Sequence, residues 1–402
     1  MSTIFPVSER VASMKGSATL IAAQVASELK AQGHDIIDLS VGEPDFDTPE
    51  FVKDLAREGL AKGVTKYTPS SGTKAFHKSI CTFFEKRFGT EVEENQIAAS
   101  CGGKQGLFNA ACTLLNPDDE VLIPKPYWVT FPEIATFCQA KSEFIETKET
   151  DFVLTSDQVR ASITDKTKLL IINSPNNPTG RVIPPEEMRK IVEVCAERSV
   201  YVLTDECYLF FAYPPAAVFT SATLPKELRE FVCVGGSFSK TFAMTGWRIG
   251  FTIANETWTK AMVKLQSHSA THPTSFVQYA CAKAFEKYEE TLAAVITMTT
   301  EYERRKNWLI PALNEIAGFK CAMPEGAFYA FVDVRNAIGN EYKSSGEIVE
   351  ALLRKYHIVV TDGAGFGADG YIRISYATSM ANLQMAVTKM KEMFGSKSAV
   401  TA

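Results

Sequence analysis

Along the middle of the chain, short blocks of apolar residues alternate with longer segments of helical pattern. Val121-Leu122-Ile123, Leu169 to Ile172, Val200 to Leu203, Phe231 to Val234 and Ile249 to Ile253 are such blocks. The segment from about Glu186 to Glu197 is a helix between two of them. A strand that is apolar at every position has both faces buried. Blocks of this kind, separated by helices, predict a mainly parallel sheet covered on both sides. Ligands of such sheets bind beyond the carboxyl ends of the strands, so the chemistry is expected just after these blocks.

The C-terminal part has a different rhythm. Long helical patterns run from about Phe276 to Asn314, followed by shorter strands at Phe328 to Val332 and Tyr371 to Ile374 with another helix between them. This predicts a smaller α+β domain joined through a long helix, with the N-terminal arm from Met1 to about Gly42 as its partner. The expected fold class is α/β: a large domain with a mainly parallel sheet between helices, plus a smaller α+β domain. The expected division is 1–48 for the arm and part of the small domain, 49–300 for the large domain and 301–402 for the C-terminal small domain. No repeat or low-complexity tract interrupts this plan.

Composition narrows the reading. The 402 residues exceed the roughly 250–300 at which a single core stops growing, so at least two domains are expected. A charged content of 22% and a formal net charge of −5 give no reason to expect nucleic acid or a membrane surface as partner. Glu9, Arg10, Lys15 and Glu28 interrupt any apolar leader, and no apolar stretch is long enough to span a bilayer, which predicts a cytoplasmic protein. The nine cysteines lack a C-x-x-C pair and the five histidines lack H-E-x-x-H. Neither a disulfide framework nor a metal site is expected.

The densest chemical signal is Ser237-Phe-Ser-Lys240-Thr-Phe-Ala-Met-Thr-Gly-Trp-Arg248-Ile-Gly250, which follows the block Phe231 to Val234. A lysine here can form a Schiff base with an aldehyde cofactor, and Ser237 and Arg248 bring donors suited to a phosphate. A single lysine after a Gly-Gly turn would otherwise read as a surface residue. Ser100-Cys-Gly102-Gly103-Lys104-Gln-Gly106 joins a strand to a helix, where backbone N–H groups bind phosphate; its spacing is wrong for a dinucleotide fingerprint. Arg373, in Tyr371-Ile-Arg373-Ile-Ser-Tyr376, lies in an otherwise apolar strand, a costly place for an unpaired cation. The glycine-rich stretch from Asp362 to Gly370 reads as a loop before that strand.

The Lys240 segment resembles the lysine signature of class I and II aminotransferases, fold-type-I enzymes that depend on pyridoxal 5′-phosphate, and the likeness extends from about Met14 to Phe394. It is nearest the bacterial aspartate/prephenate aminotransferase group. The resemblance implies that Lys240 carries the cofactor and moves the proton, and that Gly102, Gly103, Lys104, Ser237 and Arg248 hold its phosphate. It makes Asp205, in Thr204-Asp205-Glu206-Cys207-Tyr208, the partner of the pyridine nitrogen, against the plainer reading of a helix-capping Asp and a core Tyr. Asn177, in Ser174-Pro-Asn-Asn177-Pro178-Thr-Gly180, would join Tyr208 at the phenolic oxygen, although by itself that stretch reads as a turn. Trp128 would stack on the ring; as a plain residue it would be a core tryptophan. Arg373 would clamp the substrate α-carboxylate, with Gly42, Trp128 and Asn177 also meeting substrate, while Glu43, Asp45 and Glu206 are left structural. Tyr67 would cross to the neighbouring subunit, which implies a homodimer with shared active sites.

Animal-type aspartate enzymes of the family read the distal carboxylate with an arginine from the second subunit. No arginine occurs in the comparable stretch Gln266 to Ser275. The resemblance offers Lys15 instead, in Ser13-Met14-Lys15, which read alone is an exposed flexible charge. The implied activity is transfer of an amino group between an amino acid and a 2-oxo acid, with aspartate and 2-oxoglutarate as the preferred pair. Prephenate, aromatic or kynurenine transfer, and C–S lyase chemistry on the same fold, stay open. A cofactor-binding regulator domain is disfavoured, because only about 40 residues precede the Gly42 motif and domains rarely fall below ~50.

Overall fold

The structure, a computed structural model, describes residues 6–16, 18–339 and 341–396. The outer limits expected for the arm and for the C-terminal unit, Met1 and Ala402, lie outside it. The chain opens with helices α1 (Glu9–Ala12) and α2 (Ala18–Ala31), a short strand β1 (Ile37–Asp38), and helices α3 (Glu50–Ala61) and α4 (Lys74–Phe88). Thr73 caps α4 by accepting the Phe76 N–H, and Gly89 at φ 65° ends it, a backbone conformation that glycine adopts without strain. Strands and helices then alternate: β2 (Ile97–Ser100), α5 (Gly103–Cys112), β3 (Glu120–Lys125), α6 (Thr130–Phe137), β4 (Lys141–Glu146), α7 (Ser156–Ser162), β5 (Thr167–Asn173), α8 (Pro185–Glu197), β6 (Tyr201–Asp205), α9 (Lys226–Arg229), β7 (Val232–Ser237), α10 (Phe238–Thr241) and β8 (Gly250–Ile253).

These strands form one seven-stranded sheet in the order β2-β8-β7-β6-β5-β3-β4. The parallel pairs β7-β6, β6-β5, β5-β3 and β3-β4 match the mainly parallel sheet expected. One apolar block departs from that pattern: β8 starts at Gly250, not Ile249, and runs antiparallel to both β7 and β2. The reason is local. The segment after β7 folds into α10 and a single 3-10 turn at Thr245–Trp247 and stays at one end of the sheet, so β8 begins opposite Ser237, where β7 ended. Leu170 and Ile172 pack in one core and Leu169 and Ile171 in the other, which is why the LLII block is apolar on both faces.

The remainder comprises α11 (Glu256–Ser267), α12 (Ser275–Glu286), α13 (Tyr288–Asn314), β9 (Lys320–Cys321), β10 (Tyr329–Asp333), α14 (Ser345–Tyr356), β11 (Ile358–Val359), β12 (Thr361–Asp362), β13 (Tyr371–Ser375) and α15 (Met380–Phe394). The helical pattern from Phe276 to Asn314 is two helices, broken at Lys287, whose ψ of 63° is not helical. A second sheet, β12-β13-β10-β9, is antiparallel throughout, and its core includes Leu309, Phe328, Tyr329, Ile372 and Ile374. β1 pairs in parallel with β11, so the N-terminal segment is held by the C-terminal part of the chain. The stretch Asp362 to Gly370 is more than a loop: Asp362 ends β12, and Gly363–Phe366 form a 3-10 turn that buries Phe366.

Candidate active site

Strands β5, β6 and β7 end close together, with Asn173 paired to Asp205 and Asp205 to Gly235. A cavity of about 330 Å³ opens beyond that edge, within the usual range for small-molecule sites. Lys240 enters it from α10, whose first turn is capped by Ser237 accepting the Ser239 N–H. Its Nζ donates to the Gly42 carbonyl oxygen at 2.6 Å, and burial holds the amine below its ordinary pKa. Lowering the pKa of a buried lysine favours its unprotonated form, which is the nucleophile and the proton acceptor.

The start of α5 lies against the end of β7 and the start of β8. Gly102 has φ 84°, and a Cβ there would fall 2.3 Å from Arg248 Nη2. A Cβ on Gly250 would sit 2.6 Å from the Gly103 amide nitrogen. Bare backbone at both positions is therefore a packing requirement. Arg248 is itself at φ 57°, with Nη1 donating to the Thr245 carbonyl oxygen at 2.8 Å. Gly103, Lys104, Ser237 and Arg248 line the cavity together, and Gly102 lies behind Gly103. This is the donor set of an anion cup: helix-start amides, a hydroxyl, an ammonium and a guanidinium.

Asp205 is deeply buried and lines the cavity. Desolvation pushes its carboxyl up to about 6, against the Cys207 N–H that its Oδ1 accepts at 3.2 Å and the positive charges of Lys240 and Lys104. Such a carboxylate gains most from a cationic N–H brought in by a ligand. Trp128 provides an aromatic wall, with Lys104 Nζ 4.7 Å from its ring centre. Tyr208 is buried with its hydroxyl 2.7 Å from that of Tyr329.

Arg373 reaches the cavity from β13 and is buried. It donates to Asn177 Oδ1 at 2.9 Å, to the Ser40 carbonyl oxygen at 2.6 Å and to Thr361 Oγ1 at 3.2 Å. Its guanidinium also lies 4.5 Å from the Tyr329 ring centre and 5.0 Å from that of Phe366. Among the described residues no carboxylate pairs with it, and its Nε has no partner. The positive charge is fixed in direction yet unneutralised, which suits an incoming carboxylate. Gly42 completes this side; a Cβ there would meet Tyr329 Oη at 2.8 Å.

Two expected residues stand apart. Tyr67 is 90% exposed, edge-on to His272 at 5.6 Å, and is not in the cavity wall of its own chain. Lys15 is exposed, its backbone N–H donating to Glu133 Oε2 at 2.9 Å. Glu206 and Asp45 are structural: Glu206 accepts from the Ser221 N–H, and Asp45 pairs with Arg305. The sequence reading overlooked Tyr329, Phe366 and Asn173. Asn173 was within reach of the rule that sites follow strands: it accepts the Asn177 N–H at 2.7 Å and donates to the Asp205 carbonyl oxygen at 2.9 Å, tying two strand ends together. Tyr329 and Phe366 sit in segments whose apolar pattern reads as ordinary core. Among the described residues, no group of three or more His, Cys, Asp or Glu is placed to hold a metal ion.

The family model for aminotransferase class I and II matches residues 34–390. A probable aspartate/prephenate aminotransferase of Aquifex aeolicus is 38% identical over 387 residues, covering 96% of this chain and 98% of that protein. An aspartate aminotransferase of Bacillus subtilis is 38% identical with the same coverage. The solved structure of an aspartate aminotransferase from Thermus thermophilus with maleate superposes with a TM-score of 0.92 at 36% identity, over 97% of this chain and 100% of that one.

Proposed function

This chain belongs to the class I and II aminotransferases, and from that premise we propose that it binds pyridoxal 5′-phosphate and exchanges an amino group between aspartate and 2-oxoglutarate, as a cytoplasmic homodimer. The observation that carries the proposal is the meeting, in one cavity, of a buried lysine amine, a desolvated carboxylate, an anion cup and a buried arginine that pairs with no carboxylate among the described residues. Each is costly alone, and each is answered by one part of a flat, phosphorylated, nitrogen-protonated aldehyde and its amino-acid substrate. When bound, the cofactor supplies an aldehyde for the amino group and a ring that accepts electrons from the substrate Cα.

The chain's own residues do the rest. Gly102, Gly103, Lys104, Ser237 and Arg248 would hold the phosphate, Trp128 the ring face, Asn177 and Tyr208 the phenolic oxygen, and Asp205 would keep a proton on the ring nitrogen. Lys240 carries the cofactor between turnovers. Its unprotonated Nζ would take the proton from the substrate Cα and return it to the cofactor's aldehyde carbon, as base and then acid. Arg373 receives the α-carboxylate on the edge that carries its free Nε, held rigid by Asn177, Ser40 and Thr361. Gly42 admits the substrate close to backbone. Tyr67, exposed on its own chain, would serve the phosphate of the neighbouring subunit. Lys15 would meet the distal carboxylate of a dicarboxylic substrate.

Two measurements test this. Borohydride treatment of cofactor-loaded protein should fix the cofactor on the Lys240 peptide; label on a different lysine would overturn the assignment. A donor panel read as kcat/KM should favour aspartate. A preference for phenylalanine or for prephenate as acceptor would replace the aspartate reading with the aromatic or prephenate one, which the mixed naming of relatives supports.

A further inference from the structure

Two thiols outside the cavity lie side by side. Cys112 is the last residue of α5 and Cys138 follows the last residue of α6. Their sulfurs are 3.4 Å apart, and both residues are only partly buried. Packing sets this approach: Leu107, Ala111, Ile134 and Ala135 share one core, and the rings of Phe108 and Phe137 lie 4.9 Å apart. Among the described residues no other two sulfurs are in hydrogen-bond contact; Cys195, Cys233, Cys281 and Cys321 are buried separately. A disulfide requires the sulfurs to close to about 2.05 Å, which side-chain rotation and a small helix shift can deliver.

We propose that Cys112 and Cys138 form a redox modification site, in which a hydroperoxide converts the two thiols into a reversible intramolecular disulfide. The two thiols are in hydrogen-bond contact, with either sulfur able to donate, and that contact holds the Cys138 thiol below its ordinary pKa against the opposing effect of burial. In the proposed step Cys138 attacks as the thiolate. It displaces the peroxide O–O bond, forming S–OH and releasing an alcohol, or water where the oxidant is hydrogen peroxide. The Cys112 sulfur then attacks that sulfur, the S–O bond breaks, and water leaves with the Cys112 proton. Two electrons pass from the sulfur pair to the peroxide, and a dithiol reductant reverses the process.

The location gives the modification a consequence for the site. The first residues of α5, Gly103 and Lys104, and the residues just before α6, Trp128 and Val129, all line the cavity. Fastening the far ends of the two helices shifts the anion cup against the aromatic wall. A misplacement of about 1 Å changes turnover substantially, and a fall of roughly three- to tenfold is expected. This last step rests on the function proposed above; the disulfide itself does not.

The test uses cofactor-loaded protein treated with hydrogen peroxide, then alkylated and mapped by mass spectrometry without reduction. The expected result is one linked peptide pair joining Cys112 to Cys138, with turnover lowered and restored by dithiothreitol. Cys112→Ser should keep basal turnover, form no linkage and leave a sulfenic acid on Cys138 that dimedone traps. Linkage between other cysteines, or both thiols alkylated after oxidation, would overturn the site. A formed disulfide with unchanged turnover would overturn the coupling. Equal peroxide sensitivity of Cys112→Ser and the parent would also overturn it, by assigning the loss to another thiol.

Discussion

The two walls of the cavity are built on opposite principles. One wall comes from segments that follow parallel strands: the Gly102–Lys104 turn, Asp205, and Ser237 with Lys240. Its groups are contiguous in sequence with the strand ends, and much of its binding power is backbone. The other wall is Arg373 in the middle of an antiparallel strand, gripped by Ser40, Asn177 and Thr361 from three distant segments, with Tyr329 and Phe366 against its face. The first wall is a set of loops whose ends a rigid sheet positions. The second is a single cation whose direction depends on long-range contacts. In the function proposed, the first would hold one cofactor permanently and the second would bind and release successive carboxylates.

Breaking the first wall should have the largest effect. Lys240→Ala removes the only group proposed to move the proton, and turnover should fall on the order of a thousandfold or more while thermal unfolding stays close to the parent. A milder loss in a single-turnover assay would mean that a different base serves the Cα.

Asp205 offers a test that needs no turnover. Its carboxyl lies above its ordinary value, at about 6, because of desolvation. In the cofactor-free protein the folded state then holds a proton that the unfolded state releases from about pH 4 upward. Stability from this group is fully present below the unfolded pKa and is lost as pH rises through 6. The loss amounts to about 3 kcal/mol at most, at ~1.4 kcal/mol per pKa unit. Denaturant melts of the cofactor-free protein should show this decline, and Asp205→Asn should abolish it. Adding the cofactor should flatten it as well, since a protonated ring nitrogen gives the ionised carboxylate a partner. A slope that survives in Asp205→Asn would belong to some other group.

The second wall should respond differently. Arg373→Ala should lower kcat/KM about ten- to a hundredfold, the range for a charge-assisted hydrogen bond, and equally for aspartate, alanine and phenylalanine, because every donor presents an α-carboxylate. Lys15→Ala should lower it about tenfold for aspartate alone; equal losses for phenylalanine would make Lys15 structural. Smallest of all, Tyr329→Phe removes the hydroxyl that meets Tyr208 and keeps the ring under Arg373. A few-fold loss is expected, at about 1 kcal/mol for one neutral hydrogen bond. A hundredfold loss would promote Tyr329 to a direct contact with cofactor or substrate.

The difference between the walls also explains what was legible beforehand. The proposed cofactor cup is made of local backbone and so is written locally, in Ser237-to-Gly250 and Ser100-to-Gly106, which is why a linear reading picks out these two segments. Parallel strands buried on both faces are written as uninterrupted apolar blocks, so the sheet was visible too. The direction of β8 was not, because an apolar block carries no sign; the short, folded connection through α10 set it. The helical run to Asn314 hid its break at Lys287 for a similar reason, since one residue of non-helical ψ leaves the apolar pattern intact on either side.

What the sequence determined by itself was therefore the sheet, the lysine, the carboxylate and the cup, all of which follow from adjacency along the chain. Tertiary structure alone decided that Lys240 points at the Gly42 carbonyl, that Arg373 meets no carboxylate among the described residues, that Tyr329 and Phe366 face it, and that Cys112 meets Cys138. Apart from Phe366, which lies close to Arg373 along the chain, these are contacts between segments far apart in sequence. Which apolar strand residue faces a ligand and which faces core depends on sheet register and helix packing, and neither is encoded in the identity of the residue.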